Sequence, residues 1–346
     1  MINRYRLIFL CCLQGLLASG QTAAPIRNLV FEGAGIRGLA YSGAIAELEK
    51  ADLLAGIHRV GGTSAGAVTA LLLSLGYTSG EISDIVQSTS YRKFNDGRYF
   101  FIGGINRLKK YFGWYRGQQF DKWLTRLIEV KTGNAAITFE ELHHFGFKDL
   151  YVTGTCLNRQ KMVVFSSEHY PKMKIKDAIR ISVTIPFYFE PVYIDHDGKL
   201  FWRPAKKEGL DIMIDGGVVA NFPIRLFDST KYQQAAQANE YHSNPETLGF
   251  RIDREEQIAN DHAGNGLADM PVNNLDTYVT AFYTLVIEQM NRQQLTKEDW
   301  TRTVSISDGT IAPRIRKLSA DEVQLLMKNG SVATKIYLVK KQEKDE

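Results

Sequence analysis

The stretch Val60-Gly61-Gly62-Thr63-Ser64-Ala65-Gly66-Ala67-Val68 constrains this chain more than any other. A short apolar segment runs into it, and Ala65–Leu75 leaves it as a run of small and aliphatic residues that favour helix. Gly62-Thr63-Ser64-Ala65-Gly66 fits G-x-S-x-G, the pattern of a serine presented on a sharp turn between strand and helix. Such a turn strains the serine backbone and leaves no room for side chains at the flanking positions, here Gly62 and Gly66. The helix that follows points its N-terminal amides at Ser64, which favours negative charge there, as acyl transfer requires. The same residues also suit an ordinary Gly/Ser turn, so the surrounding sequence has to decide.

Just upstream, Ile26–Phe31 reads as a buried parallel strand and Leu39–Leu53 as a helix, joined by Glu32-Gly33-Ala34-Gly35-Ile36-Arg37-Gly38. A G-x-G-x-x-G loop in that context has three readings. A dinucleotide site wants a carboxylate about 20 residues on, at the end of the second strand. The second strand here, around Ile57–Val60, ends in Gly61-Gly62-Thr63-Ser64 instead, and no Gly-Lys-Ser/Thr follows to make a P-loop. The second reading is an oxyanion hole, in which successive glycines let backbone N–H groups converge. The third is close strand–helix packing alone. Adjacent parallel strands bring their C-terminal loops to one sheet edge, which favours the oxyanion hole. Arg37 either anchors the loop or adds positive charge.

Tyr91–Phe120 is dense in aromatics and interleaved with Arg92, Lys93, Arg98, Arg107, Lys109, Lys110 and Arg116. Such a stretch can lie on a membrane or line an acyl groove. The expected reading is a helical insertion packed on the core. Further on, Leu150–Leu157 and Met162–Phe165 read as strands, Lys176–Val183 as a short helix, and Phe187–Tyr193 with Leu200–Trp202 as a hairpin. Asp211–Ile214 is a buried strand leading into Asp215-Gly216-Gly217, where packing would fix an aspartate as a base is fixed. A strand (Glu246–Ile252), a long helix (Asn273–Asn291), a strand (Arg302–Asp308) and a final helix (Leu318–Gly330, capped by Ser319 and Glu322) complete the chain.

Met1–Ala24 has the makings of an export signal: Arg4 and Arg6, then the apolar Leu7–Leu17, then small residues. A periplasmic, secreted or membrane-associated location is the expectation. Its removal leaves Cys156 as the single cysteine, so no intrachain disulfide and no cysteine cluster for zinc are expected. The net charge is +4, and without that segment 40 basic residues face 38 acidic ones. This gives no electrostatic case for nucleic acid.

Three motifs therefore stand in order: Gly33-Ala34-Gly35-Ile36-Arg37-Gly38, Gly62-Thr63-Ser64-Ala65-Gly66, and Asp215-Gly216-Gly217. Their order and contexts resemble the patatin-like phospholipase family, and so do the segments Tyr115-Arg116-Gly117-Gln118 and Ile179–Phe187. Departures are small: Glu32 stands where the family often has Asp, and Ala34 fills a variable glycine position. The resemblance covers about Asn28 to Asp228. It implies a three-layer α/β/α sandwich with a mainly parallel central sheet, Ser64 as nucleophile, Asp215 as its base, and an oxyanion hole built from Gly33, Gly35, Arg37 and Gly38, with Gly62, Gly66, Gly216 and Gly217 as supports. It implies hydrolysis of lipid acyl esters with no metal or cofactor, a lipid substrate, and transient contact with a membrane surface. Residues 25–228 would form the catalytic domain and 229–346 a continuation of the same fold. Two alternatives remain open: a Ser-His-Asp hydrolase using His242 or His262, and a lipid-binding protein that keeps the fold without the chemistry.

Overall fold

The computed structural model describes residues 24–97, 100–233, 243–292, 295–312 and 316–345. All of the expected export signal except Ala24 lies outside these residues, as does His242. The chain begins β1 (Asn28–Phe31), α1 (Ala40–Lys50), β2 (Arg59–Gly62), α2 (Ala65–Ser74). Next come α3 (Ser79–Ser88), α4 (Phe100–Tyr111), β3 (Gly113–Tyr115), α5 (Gln118–Thr132) and α6 (Phe139–His144), the aromatic stretch Tyr91–Phe120 running through α4 and β3 into the start of α5. Then come β4 (Asp149–Cys156), β5 (Lys161–Phe165), α7 (Ile175–Ser182), β6 (Phe187–Phe189), β7 (Val192–Ile194), β8 (Leu200–Phe201), β9 (Asp211–Asp215) and α8 (Gly217–Ala220). The last part holds β10 (Thr247–Asp253), α9 (Glu255–Ala263), α10 (Leu275–Arg292), α11 (Lys297–Thr301), β11 (Thr303–Ser307) and α12 (Ala320–Asp345).

The central sheet runs β11-β10-β1-β2-β4-β9-β7-β8, with β5 on the far half of β4. The first five strands are mutually parallel, and β9 turns the sheet antiparallel. The apolar run of β1 is buried on both faces. Leu29 and Phe31 enter the large core with α1, α2 and α7, while Val30 meets Tyr151, Phe222 and Phe227 on the other side. Strands that are apolar throughout are expected of a sheet covered on both faces. This is the expected α/β layering.

Three expectations change. The hairpin read over Phe187–Tyr193 and Leu200–Trp202 is divided at Glu190-Pro191: β6 pairs with β3 outside the main sheet, and only β7 pairs with β8. The sheet's antiparallel half begins at β9, which no local pattern signals. The final helix does not stop at Gly330 but continues to Asp345. Gly330 faces Gly43 of α1 across a close crossing, where a Cβ at Gly330 would fall on the Ala40 carbonyl and one at Gly43 on the Met327 carbonyl. The glycine is a contact point rather than a terminator. Gly330→Val should therefore push α12 off α1 and cost about 1–3 kcal/mol in a denaturant titration, the usual penalty of overpacking. A loss below about 0.5 kcal/mol would mean the crossing relaxes freely. The Ser319–Glu322 cap forms as expected, with the Glu322 N–H donating to Ser319 Oγ at 3.1 Å and the Ser319 N–H to Glu322 Oε2 at 2.9 Å.

Candidate active site

Ser64 sits between the end of β2 and the first turn of α2, with φ 53° and ψ −121°. A residue with a Cβ rarely adopts that conformation, so the surroundings must hold it. They do so by hydrogen bonds: the Ser64 N–H donates to Ser182 Oγ at 2.8 Å, and the Gly66 N–H to the Thr63 carbonyl at 2.8 Å. Thr63 Oγ1 meets Thr153 Oγ1 at 2.5 Å and donates to the Ala220 carbonyl at 2.8 Å. The flanking glycines are sterically required. A Cβ at Gly62 would collide with the Gly66 backbone, and one at Gly66 with the Phe31 carbonyl.

Asp215 reaches the same place from the opposite direction. Parallel pairing sets Gly62 of β2 opposite Val152 of β4, and antiparallel pairing sets Asp215 of β9 opposite Gly154, two residues further along. The loop after β2 and the end of β9 therefore stop at one level over β4. The Asp215 N–H donates to the Thr184 carbonyl at 2.8 Å, and its Oδ1 accepts the Gly217 N–H at 2.7 Å. The Ser64 hydroxyl lies close enough to its carboxyl to pull the Asp215 pKa down. The group is 5% exposed, and burial pushes its pKa up to about 7 against the downward pull of the Gly217 and Ser64 bonds. Desolvation outweighs two hydrogen bonds because the charged form has no cation close by. Gly216 packs on Thr153, where a Cβ would clash.

The glycine loop expected to form an oxyanion hole is held tightly by its own hydrogen bonds. The Gly33 N–H is committed to the Asn221 carbonyl at 3.0 Å, while Asn221 Nδ2 donates back to the Gly33 carbonyl at 2.9 Å. The Arg37 N–H goes to the Ala34 carbonyl at 3.2 Å, and its guanidinium pairs with Asp308 Oδ2 at 3.0 Å. The amides of Gly33 and Arg37 and the Arg37 guanidinium thus anchor the loop. Gly38 packs against Ala65, where a Cβ would approach to 3.0 Å. Gly35, at φ 56°, opens the helical turn Gly35–Leu39. The first amides of such a turn have no partner within it, and Gly35 borders Ser64 in both adjoining cavities.

Those two cavities differ in chemistry. Behind Ser64 lies an apolar one walled by Val68, Leu72, Ile82, Phe94, Phe120 and Trp123. In front lies a cleft bordered by Gly33, Asp215 and Asn221 on one side and by Val279, Ile287 and Glu288 of α10 on the other. The aromatic insertion supplies the apolar wall through Phe94, Phe120 and Trp123, whose ring centroids lie 5.3–5.5 Å apart. It is a packed insertion, and one of its surfaces lines a groove.

Comparison with known proteins gives the family. A family profile described as patatin-like phospholipase matches residues 29–228. The chain belongs to that family. An uncharacterised Bacillus subtilis protein, YqhO, is 32% identical over 212 residues, which cover 58% of this chain and 67% of YqhO. A protein of invertebrate iridescent virus 6 named as a probable lipid hydrolase, 463L, is 28% identical over 209 residues, covering 58% of this chain and 62% of the viral one. Among solved structures, VipD from Legionella pneumophila aligns over 92% of this chain and 68% of its own, with a TM-score of 0.56 at 16% identity, a likeness of fold.

Within the patatin-like frame, the place of Glu32 acquires a physical reason. At the end of β1 its Oε2 accepts the Ile252 N–H at 3.1 Å, and its Oε1 lies 3.2 Å from Nη2 of the buried Arg251. Arg251 also meets Asp253 at 2.8 Å and Glu288 at 3.5 Å, and Arg292 of α10 pairs with Asp253, Asp261 and Glu288. The longer side chain joins the glycine loop to an ion cluster that also ties down α10.

Sequence reasoning missed Ser182, Thr184, Asn221 and Arg251. The first two lie in Ile179–Phe187, where the family likeness marked the segment but not their roles. Asn221 and Arg251 show no local pattern. The described histidines fall elsewhere: His58 is exposed beside Arg27 at 3.2 Å, His143 pairs with Asp149 at 2.6 Å, and His262 is exposed on α9. Among the described residues, no histidine borders either cavity at Ser64 and no group of side chains could hold a metal.

Proposed function

We propose that the protein is a serine lipid acyl hydrolase, a carboxylic ester hydrolase of the phospholipase A type working through a Ser64–Asp215 dyad. One observation carries the reading: Ser64 and the buried Asp215 carboxyl, raised to about 7 by burial, border one cleft, and Ser64 also borders an apolar cavity. Ser64 Oγ attacks the ester carbonyl while Asp215 takes the hydroxyl proton. The developing oxyanion is met by amides at the head of the Gly35 turn, aided by the N-terminus of α2. Asp215 returns the proton to the departing alcohol, leaving an acyl-Ser64 ester. It then removes a proton from the water that releases the fatty acid. The acyl tail fits the apolar cavity and the head group the cleft under α10. A carboxylate at its ordinary value of 3.8 is a poor base for an alcohol, and the raised value supported by burial is what makes the transfer feasible.

The test is fatty-acid release from a panel of diacyl phospholipids as a function of pH. Only ionised Asp215 is a base, so kcat/KM should climb about tenfold per pH unit below about 7 and level off above it. A flat profile from pH 5 to 8 would remove Asp215 from the role.

A further inference from the structure

We propose that the outer face of α10 is the surface by which the protein settles on a lipid bilayer, with the Ser64 cleft immediately beneath it. The proposal rests on reading that cleft as lipid-hydrolysing, and it names the partner surface of the same site. The helix is inside out. Leu275, Tyr278, Val279, Phe282, Leu285 and Val286 recur at the spacing of one helical face, and all are exposed, Leu275 at 78% and Phe282 at 61%. The inward side carries the polar groups: Glu288 and Arg292 enter the ion cluster around Arg251, and Asn291 Oδ1 accepts the Asn221 N–H at 2.5 Å. A surface helix ordinarily buries its apolar side and shows its charges to water.

What covers this face is argued from continuity. Val279 belongs both to the exposed stripe and to the cleft wall, and Ile287, next in sequence to Val286 of the stripe, also borders the cleft. A lipid lifted from a bilayer pressed on α10 would meet the cleft without crossing water. Thr277–Ile287 contains no charged side chain, and Tyr278 and Phe282 are of the kind that sit at headgroup depth. No helix among the described residues is long and apolar enough to cross a membrane, so α10 would lie in the interface plane. Six large apolar side chains exposed on one helical face form the kind of contiguous patch that marks an interaction surface.

The test uses the full chain with Ser64→Ala, which leaves vesicles intact, and measures co-sedimentation with phosphatidylcholine vesicles. Adding Phe282→Glu and Leu285→Glu should lower partitioning at least about tenfold, since each places a charge in the apolar boundary. Phe282→Gln with Leu285→Gln, a milder pair, should give a smaller fall in the same direction. With Ser64 intact, either pair should leave p-nitrophenyl butyrate hydrolysis unchanged and slow release from vesicles by a similar factor. Equal partitioning with and without the substitutions overturns the proposal. So does a chain that is dimeric by sedimentation until residues 282 and 285 are changed, with vesicle binding unaffected, because the occupant is then a second copy. If no ester is cleaved by the unaltered protein yet partitioning still depends on these residues, the hydrolase reading fails and the docking face stands.

Discussion

Ser64→Ala should bring fatty-acid release down to background, and Asp215→Asn should lower it by about 10²–10⁴-fold, the usual contribution of a positioned base. Neither change should unfold the protein. Ser64 is fixed through its backbone, by Ser182 and by the turn to Gly66, so losing the hydroxyl leaves the elbow intact. An asparagine at 215 can still accept the Gly217 N–H through its side-chain oxygen. The thermal signature separates lost chemistry from lost structure. The folded state raises the Asp215 pKa from 3.8 to about 7, so it favours the protonated form. The associated stability is fully present below pH 4 and is lost as pH rises through 7. Asparagine carries no charge at any of these pH values. The melting midpoint of Asp215→Asn relative to the unaltered protein should therefore increase between pH 5 and pH 8. Retained turnover in Asp215→Asn, lost instead in a variant with both His242 and His262 changed to alanine, would move the base to an imidazole.

Arg251→Met should cost about 3–5 kcal/mol, the largest stability effect expected of any single side chain here. The guanidinium is fully buried and lies against Glu32, Asp253 and Glu288. Methionine fills a comparable space but leaves those carboxyls facing one another in the interior, with only Arg292 and, further off, Arg37 acting on Asp253. Removing one partner of a buried pair is far worse than removing both. Arg251→Met combined with Asp253→Asn should then recover part of the loss, and chemical denaturation with both single variants closes the cycle. Because Glu32 begins the glycine loop and Glu288 borders the cleft, the single variant should also lower kcat in the protein that remains folded. A single variant within about 1 kcal/mol of the unaltered protein would show that water or rearrangement satisfies the cluster.

The parts of this site that a sequence can announce are those whose chemistry is local. Gly62 and Gly66 are glycines because two backbones pass too close for a Cβ, and that need is written beside Ser64 itself. Asp215 stood out because it ends an apolar strand. The direction of β9 was hidden: it follows from pairing with β4, whose residues lie some 60 positions earlier in the chain. Ser182 and Thr184 were hidden for the same reason, since each acts on a partner brought to it by the fold. Periodicity found α10 but not its orientation, because a repeating stripe gives the axis of a helix and not which side meets water. Gly330 misled in the opposite sense, as a residue that often ends helices served a crossing instead.

The common level at which β2 and β9 stop has a consequence for how this scaffold can change. Ser64 and Asp215 are carried by the two neighbours of a single strand, so the span between them is set by roughly two strand spacings of 4.7–4.9 Å. Hydrogen-bonded spacings of that kind do not stretch. Insertions or divergence in the aromatic segment, the glycine loop or α10 can therefore reshape what enters from either side while Ser64 and Asp215 keep their separation, much as a lathe keeps its centres when the tool is exchanged.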